Sequence, residues 1–238
     1  MYIIEGTIGA GKSTFLKLLA QAIKDITIKL ESVDNWQHQE YGQSLLAQFY
    51  ENPQRWAFSF ETFTMKQRVY EYLKAGTHIQ PLFIERSIFS GHYVFARNSF
   101  ESGFMTLTEW NIYQEWFTFL TKKSTQPTGF IYLKLDPQIA YERIKKRNRS
   151  AESSLPLEYL YDLDYRHEQF LVKKENIAAH LQHVPILILD CNTEFEEDQH
   201  QFNNHCNAVL DFMQQCQMQN LDLGFHSKYQ RANPVTQT

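Results

Sequence analysis

The chain has 238 residues, 43% hydrophobic and 15% aromatic, with a formal charge of −4. That length holds one large α/β domain or two small ones, and the slight acidity excludes a global basic field that would draw the chain onto nucleic acid or an anionic membrane. Cys191, Cys206 and Cys216 are odd in number and lack zinc-ligand spacing, which points to reduced thiols rather than a disulfide framework.

In chain order, the first element is an apolar strand, residues 1–5, with no basic leader, signal core or cleavage site before it. No apolar run reaches membrane-spanning length, so the expectation is a soluble, cytoplasmic protein. The strand runs into Gly6-Thr7-Ile8-Gly9-Ala10-Gly11-Lys12-Ser13-Thr14, in which Gly6-x-x-x-x-Gly11-Lys12-Ser13 fits the phosphate-loop pattern, and a helical segment, 12–24, opens directly after it. Glycines let successive N–H groups curl inward at phosphate oxygens, and the helix N-terminus adds a favourable dipole. Lys12 can reach the β- and γ-phosphates of a nucleoside triphosphate, ATP or another, and Ser13 Oγ can ligate Mg²⁺. The plain alternative is a chance glycine-rich turn, but the strand and helix stand where the motif needs them.

A second strand, 26–31, ends at Glu31. Helical periodicity follows at 40–50 and 54–75, then a third strand, 82–85, ending Glu85-Arg86-Ser87. Helices are expected at 87–101, 106–123, 137–147, 157–180 and 198–216, with strands at 128–135 and 184–190 between them. This alternation predicts an α/β fold, a five-stranded parallel sheet flanked by helices on both faces. Active sites of such sheets lie beyond the carboxyl ends of the strands, which draws attention to Glu5, Glu31 and Glu85. No repeat or low-complexity linker divides residues 1–216, read as one domain. Residues 217–238 lose periodicity and read as a polar tail, disordered or peripheral.

A GTPase would need Asp-x-x-Gly and Asn-Lys-x-Asp strings, and neither occurs. Ile4-Glu5-Gly6…Gly11-Lys12-Ser13-Thr14-Phe15, Glu31…Trp36, Tyr50-Glu51-x-Pro53-x-Arg55-Trp56, Glu85-Arg86-Ser87 and the run from Tyr159 through Tyr165-x-His167-Glu168 appear in that order. In these pieces, from residue 1 to about 215, the chain resembles the deoxyribonucleoside kinase family of P-loop kinases. The resemblance implies ATP-dependent phosphorylation of the 5′-hydroxyl of a deoxyribonucleoside, a nucleotide-salvage activity, in a homodimer.

It also implies roles for single residues. Glu31 matches the base that takes the 5′-hydroxyl proton, the plain alternative being a solvated strand-end carboxylate. Arg86 matches the arginine that holds the 5′-oxygen and phosphate, and Glu85 stands beside Ser13 as a second Mg²⁺ ligand. Arg143-Ile144-Lys145-Lys146-Arg147-Asn148-Arg149 packs five cations into seven residues. A solvated helix end explains such a run by the dipole, whereas the resemblance makes Arg143, Arg147 and Arg149 a lid over the triphosphate. Tyr50 and Glu152 match the pair on the sugar 3′-hydroxyl, and Trp36, Phe60 and Phe95 match the aromatics around the base. The loop after the last strand, Asp190 to Phe195, matches the donor-base loop and brings Glu194 and Phe195 to it.

Two positions depart from the family. Its base-reading glutamine is here Glu61, which accepts only when ionised and so suits the adjacent N1–H and N2–H₂ donors of guanine. A protonated Glu61 would imitate glutamine, and burial can raise its pKa enough. Gly91 stands where cytidine- and purine-accepting relatives carry an aspartate that pairs with an arginine matching Arg68, and where thymidine-accepting relatives carry a small residue. Arg68 thus loses one expected partner; it lies two helical turns from Glu61, where it would either neutralise that carboxylate or also donate to guanine O6. The resulting expectation is a preference for purine deoxynucleosides, deoxyguanosine above all. The competing readings are a nucleoside monophosphate kinase and a non-catalytic nucleotide-binding subunit. The first wants a basic acceptor clamp where this chain has the acidic stretch Glu31 to Trp36.

Overall fold

A computed structural model describes residues 1–31, 44–74, 80–122, 125–152 and 154–230. Five parallel strands, β1 (Tyr2–Glu5), β2 (Thr27–Lys29), β3 (Leu82–Glu85), β4 (Gly129–Lys134) and β5 (Ile186–Asp190), form one sheet in the order β2-β3-β1-β4-β5. The inner strands are buried along almost their whole length. Successive strand side chains point to opposite faces, so this burial requires cover on both, and the helices supply it. The edge strands β2 and β5 are partly exposed. Ile4 is in register with Glu85 on one side and Ile131 on the other, so β1 and β3 finish level and their following loops open at one edge.

The phosphate-loop helix is α1 (Lys12–Ala22), which turns Phe15, Leu16 and Leu19 into the core. Next come α2 (Leu45–Glu51), capped by Ser44 Oγ accepting from the Ala47 amide at 3.2 Å, and α3 (Pro53–Lys74), which starts on a proline suited to a first turn. The single helix expected at 87–101 is a composite of α4 (Ile88–Ser90), a π-helical stretch Gly91–Ala96 and α5 (Arg97–Glu101). Then follow α6 (Leu107–Thr121), opened by a Thr106–Glu109 capping box, and α7 (Pro137–Arg147), capped by Asp136 and closed by Asn148 at φ 53°.

The helix expected at 157–180 is shorter. α8 (Leu157–His167) passes into a π-helical stretch, Glu168–Val172, and left-handed backbone at Lys174 (φ 54°) and Asn176 (φ 55°) ends it before a 3₁₀ turn at Ala179–Leu181. The last helix, α9 (Gln199–Gln230), runs on past residue 216, where the apolar periodicity stops. Its core stripe is Phe202, Cys206, Val209, Phe212 and Cys216. The continuation opens on Gln217-Met218-Gln219, residues that favour helix. Cys191, Cys206 and Cys216 are buried and unbridged. Among the described residues no helix is long and apolar enough to cross a membrane.

Candidate active site

The turn after β1 is built around its own lysine. Gly6, Gly9 and Gly11 all take positive φ, and Gly11 (φ 80°) is the N-cap of α1. A Cβ at Gly11 would also come within 2.9 Å of Phe195 Cζ, so the position needs glycine for conformation and for room. Lys12 Nζ donates to Thr7 O at 2.8 Å and Gly6 O at 3.1 Å. Burial pushes its ammonium down to about 7, with Arg86 acting the same way against the carboxylates of Glu85, Glu31 and Glu5. Phosphate oxygens in the loop would favour the charged form again. Thr7 and Ala10 are buried, while Ile8 and Thr14 stand partly exposed at the mouth.

Ser13 Oγ lies 2.9 and 2.8 Å from the two Glu85 carboxylate oxygens. This pair of hard oxygens beside a phosphate cradle fits Mg²⁺, which takes one or two protein ligands and completes its octahedron with phosphate and water. Glu31 stands two residues beyond β2. Its Oε1 accepts from Arg68 Nη2 at 2.8 Å and Nε at 3.3 Å, and its Oε2 accepts from Arg86 Nε at 3.1 Å. Burial works to raise this carboxyl, but the two guanidiniums outweigh it and hold Glu31 below the ordinary carboxylate range. Arg86 sits at φ 61°, a left-handed conformation that costs a non-glycine residue about 1–3 kcal/mol. That turn lets neighbours diverge, Glu85 towards Ser13 and Arg86 towards Glu31. It is anchored by the Arg86 amide on Ile4 O at 2.9 Å, and by Ser87 Oγ, which donates to the buried Glu5 at 2.6 Å.

From the loop a cleft of about 370 Å³ runs between α2, α3, the π-helical stretch and α8. Its far end is aromatic. Phe60 stacks on Phe49 with centroids 4.8 Å apart, and the Arg86 guanidinium lies 4.5 Å above the Phe95 ring. Tyr50 packs edge-on to Tyr159, and burial followed by the Glu152 charge raises its hydroxyl well above the ordinary phenol. Glu61 lines the same end at 1% exposure and accepts a hydrogen bond from Ser99 Oγ at 3.3 Å. Burial pushes its carboxyl up to about 7, against the pull of Arg68 and Ser99. Arg68 makes its ion pair with Glu31, and its charge also draws Glu61 down. A Cβ at Gly91 would lie 2.5 Å from Arg68 Nη1, so the bare glycine makes room for the guanidinium.

The family model for deoxynucleoside kinases matches residues 2–214. The chain belongs to the deoxynucleoside kinase family. It is a nucleoside kinase, a phosphotransferase. It is similar to deoxycytidine kinase of Homo sapiens, 37% identical over 219 residues covering 82% of this chain and 84% of that one. Deoxycytidine kinase 2 of Gallus gallus is 38% identical over 220 residues, covering 82% and 83%. The mitochondrial deoxyguanosine kinase of Xenopus laevis is 31% identical over 235 residues, covering 87% and 88%.

In this deoxynucleoside kinase the basic run forms the last turn of α7, and Arg147 and Arg149 line the cleft. Arg147 Nη2 lies 2.5 Å and Arg149 Nη1 3.6 Å from the carboxylate of Glu152, itself only 5% exposed. Arg143 donates to Cys191 O at 3.0 Å and lies 3.7 Å from Glu194, which ties α7 to the loop after β5. Phe195 is buried beneath Gly11, against Phe15 and His205, so it supports the phosphate loop from below. Trp36 lies outside the described residues. The structure thus brings together Lys12, Ser13, Glu31, Tyr50, Phe60, Glu61, Arg68, Glu85, Arg86, Phe95, Arg147, Arg149 and Glu152 in one cleft. Phe49 and Tyr159 also line it without having been singled out for it, and behind it the buried Ser99 bonds Glu61 and the buried Ser87 bonds Glu5. Tyr159 lay inside a quoted motif, and Glu5, the partner of Ser87, was visible as a strand-end carboxylate. The motif residue His167 goes instead to the core, stacked on Tyr132, where burial pushes its imidazole down to about 3.

Proposed function

We propose that this kinase transfers the γ-phosphate of ATP, or of another nucleoside triphosphate, to the 5′-hydroxyl of a deoxyribonucleoside, with purines and above all deoxyguanosine preferred. The observation that carries the reading is the ionised Glu31 carboxylate, held by Arg68 and Arg86 in the same cleft as Lys12 and Ser13. Glu31 Oε2, which among the described residues accepts from Arg86 alone, keeps a lone pair, enough to take the hydroxyl proton as the phosphorus is attacked. Arg86 orients the 5′-oxygen and the moving phosphate, and Lys12 lies along the β- and γ-phosphates. Ser13 and Glu85 would hold Mg²⁺, which when bound neutralises charge on the phosphate oxygens.

Arg143, Arg147 and Arg149 form a lid in this reading, leaving Glu152 and Glu194 to turn onto the triphosphate and exclude water. Tyr50 and Glu152 take the 3′-hydroxyl, with the tyrosine ring crowding a 2′-hydroxyl. Trp36, Phe60 and Phe95 flank the base, whose edge faces Glu61, and Arg68 in the space left by Gly91 donates to O6. The loop at Glu194 and Phe195 borders the donor base. The catalytic unit spans residues 1–216, with 217–238 peripheral to it. Three buried thiols suit a reducing compartment, the cytoplasm. On α6 the exposed stripe of Ile112, Trp116 and Phe119 suits burial against a second copy in a homodimer.

The test is release of ADP from MgATP with each of the four deoxynucleosides in turn. Turnover that requires the acceptor, with deoxyguanosine first in kcat/KM, supports the reading. Release indifferent to the acceptor overturns the transfer, and thymidine or deoxycytidine ranking first overturns the purine preference.

A further inference from the structure

At the base end of the cleft one carboxyl, that of Glu61, has no counter-ion bonded to it among the described residues. Among the described residues Glu61 accepts one hydrogen bond on its carboxyl, from the fully buried Ser99 on α5. Arg68, on its own helix α3, commits Nε and Nη2 to Glu31. The other titratable groups that face it are the phenols of Tyr50 from α2, Tyr113 from α6 and Tyr159 from α8, each raised first by burial and therefore neutral across the physiological range. A carboxyl in such a place ionises only against a desolvation cost, and small effects decide its state.

We propose that Glu61 selects the nucleobase in two protonation states, so that one proton, tuned by the Ser99 hydroxyl, decides which class of base the cleft accepts. The inference rests on the reading above that Glu61 faces the base. The ionised carboxylate only accepts, and it matches two adjacent donors such as N1–H and N2–H₂ of guanine. The protonated carboxyl sets one donor beside one acceptor, and it matches a ring nitrogen beside an amino group, as in adenine and cytosine. The position of Glu61 near 7 puts the crossover at neutral pH. Ser99 donates to the charged form and so favours the guanine-accepting state.

The deciding measurement is the ratio of kcat/KM for deoxyguanosine to that for deoxyadenosine, on the full chain with saturating MgATP, from pH 6 to 8.5. Titrations common to both reactions cancel in this ratio. It is expected to rise with pH by about tenfold or more, between a low plateau set by the base preference of the protonated carboxyl and a high one set by that of the carboxylate, with its inflection near 7. Ser99→Ala moves the inflection to higher pH, and Ser99→Thr, which keeps the hydroxyl, leaves it in place. Glu61→Gln gives a low, flat ratio. A flat wild-type profile, with Glu61→Gln still reordering the bases, overturns the proton and leaves Glu61 as a base reader. An order of bases that Glu61→Gln does not change overturns that base reading and this inference with it. An unmoved inflection in a folded Ser99→Ala removes Ser99 from the device.

Discussion

At the phosphate end of the cleft Glu31 lies between two guanidiniums and Glu85 faces a serine hydroxyl, whereas at the base end Glu61 has a single neutral donor at 3.3 Å. The first arrangement is held in place before any substrate arrives, as electrostatic preorganisation requires. The second leaves a carboxyl poorly solvated by the protein, which costs stability but keeps its charge adjustable. On the proposed reading, geometry is thus fixed where every substrate is alike, at the phosphates, and left conditional where substrates differ, at the base.

The sharpest way to break the phosphate end alone is Glu31→Gln, which keeps shape and removes the base. We expect kcat to fall by about a hundredfold to ten-thousandfold with nucleotide affinity little changed, checked by steady-state kinetics beside equilibrium titration. The base end answers differently. The folded-state pKa of Glu61, about 7, lies above the carboxyl's ordinary value of 4.5, so its contribution to stability is fully present below pH 4.5 and is lost as pH rises to 7. Glu61→Gln should therefore stabilise the chain by on the order of 3 kcal/mol above pH 7 and by little at pH 4.5, measured by denaturant unfolding at both pH values. An equal effect at both would mean that the carboxyl carries no unusual cost. Arg86→Lys tests whether the phosphate end needs a planar cation, able to bond Glu31 while lying on Phe95. A loss of about tenfold to a hundredfold in kcat is expected, and near-wild-type turnover would reduce Arg86 to a point charge. Tyr50→Phe removes one hydroxyl and keeps the ring. It should lower kcat/KM by roughly fivefold, the worth of one hydrogen bond, with discrimination against ribonucleosides retained.

The phosphate loop was fully legible because its strand, turn and helix are contiguous, and the motif dictates their order. All five strands were visible as apolar runs, but their spatial order depends on pairings between distant segments that no local pattern encodes. The π-helical stretch at Gly91–Ala96 was hidden because six residues are too few to separate its period from that of an α-helix. Within the site, Glu31, Arg68 and Arg86 could each be named, but the two arginines bond to Glu31 across 37 and 55 residues. Arg68 was therefore read against Glu61, its neighbour in sequence, while the fold gave its ion pair to Glu31. Ser99 carried no signal, being a small polar residue inside a helix whose value lies in the carboxyl it faces.

The π-helical stretch also bears on which sequence changes the kinase can tolerate. Winding of this kind holds an extra residue per turn, as though one had been inserted into an ordinary helix. Deleting any one residue between Gly91 and Ala96 would let the segment relax into regular α-helix. The helix on either side would keep its register, because the bulge had already absorbed the extra residue, and Ser99 would stay opposite Glu61. A one-residue change of length can thus be absorbed here as it could not be in the regular turns of α5, and homologues shorter by one residue should place that gap inside this segment.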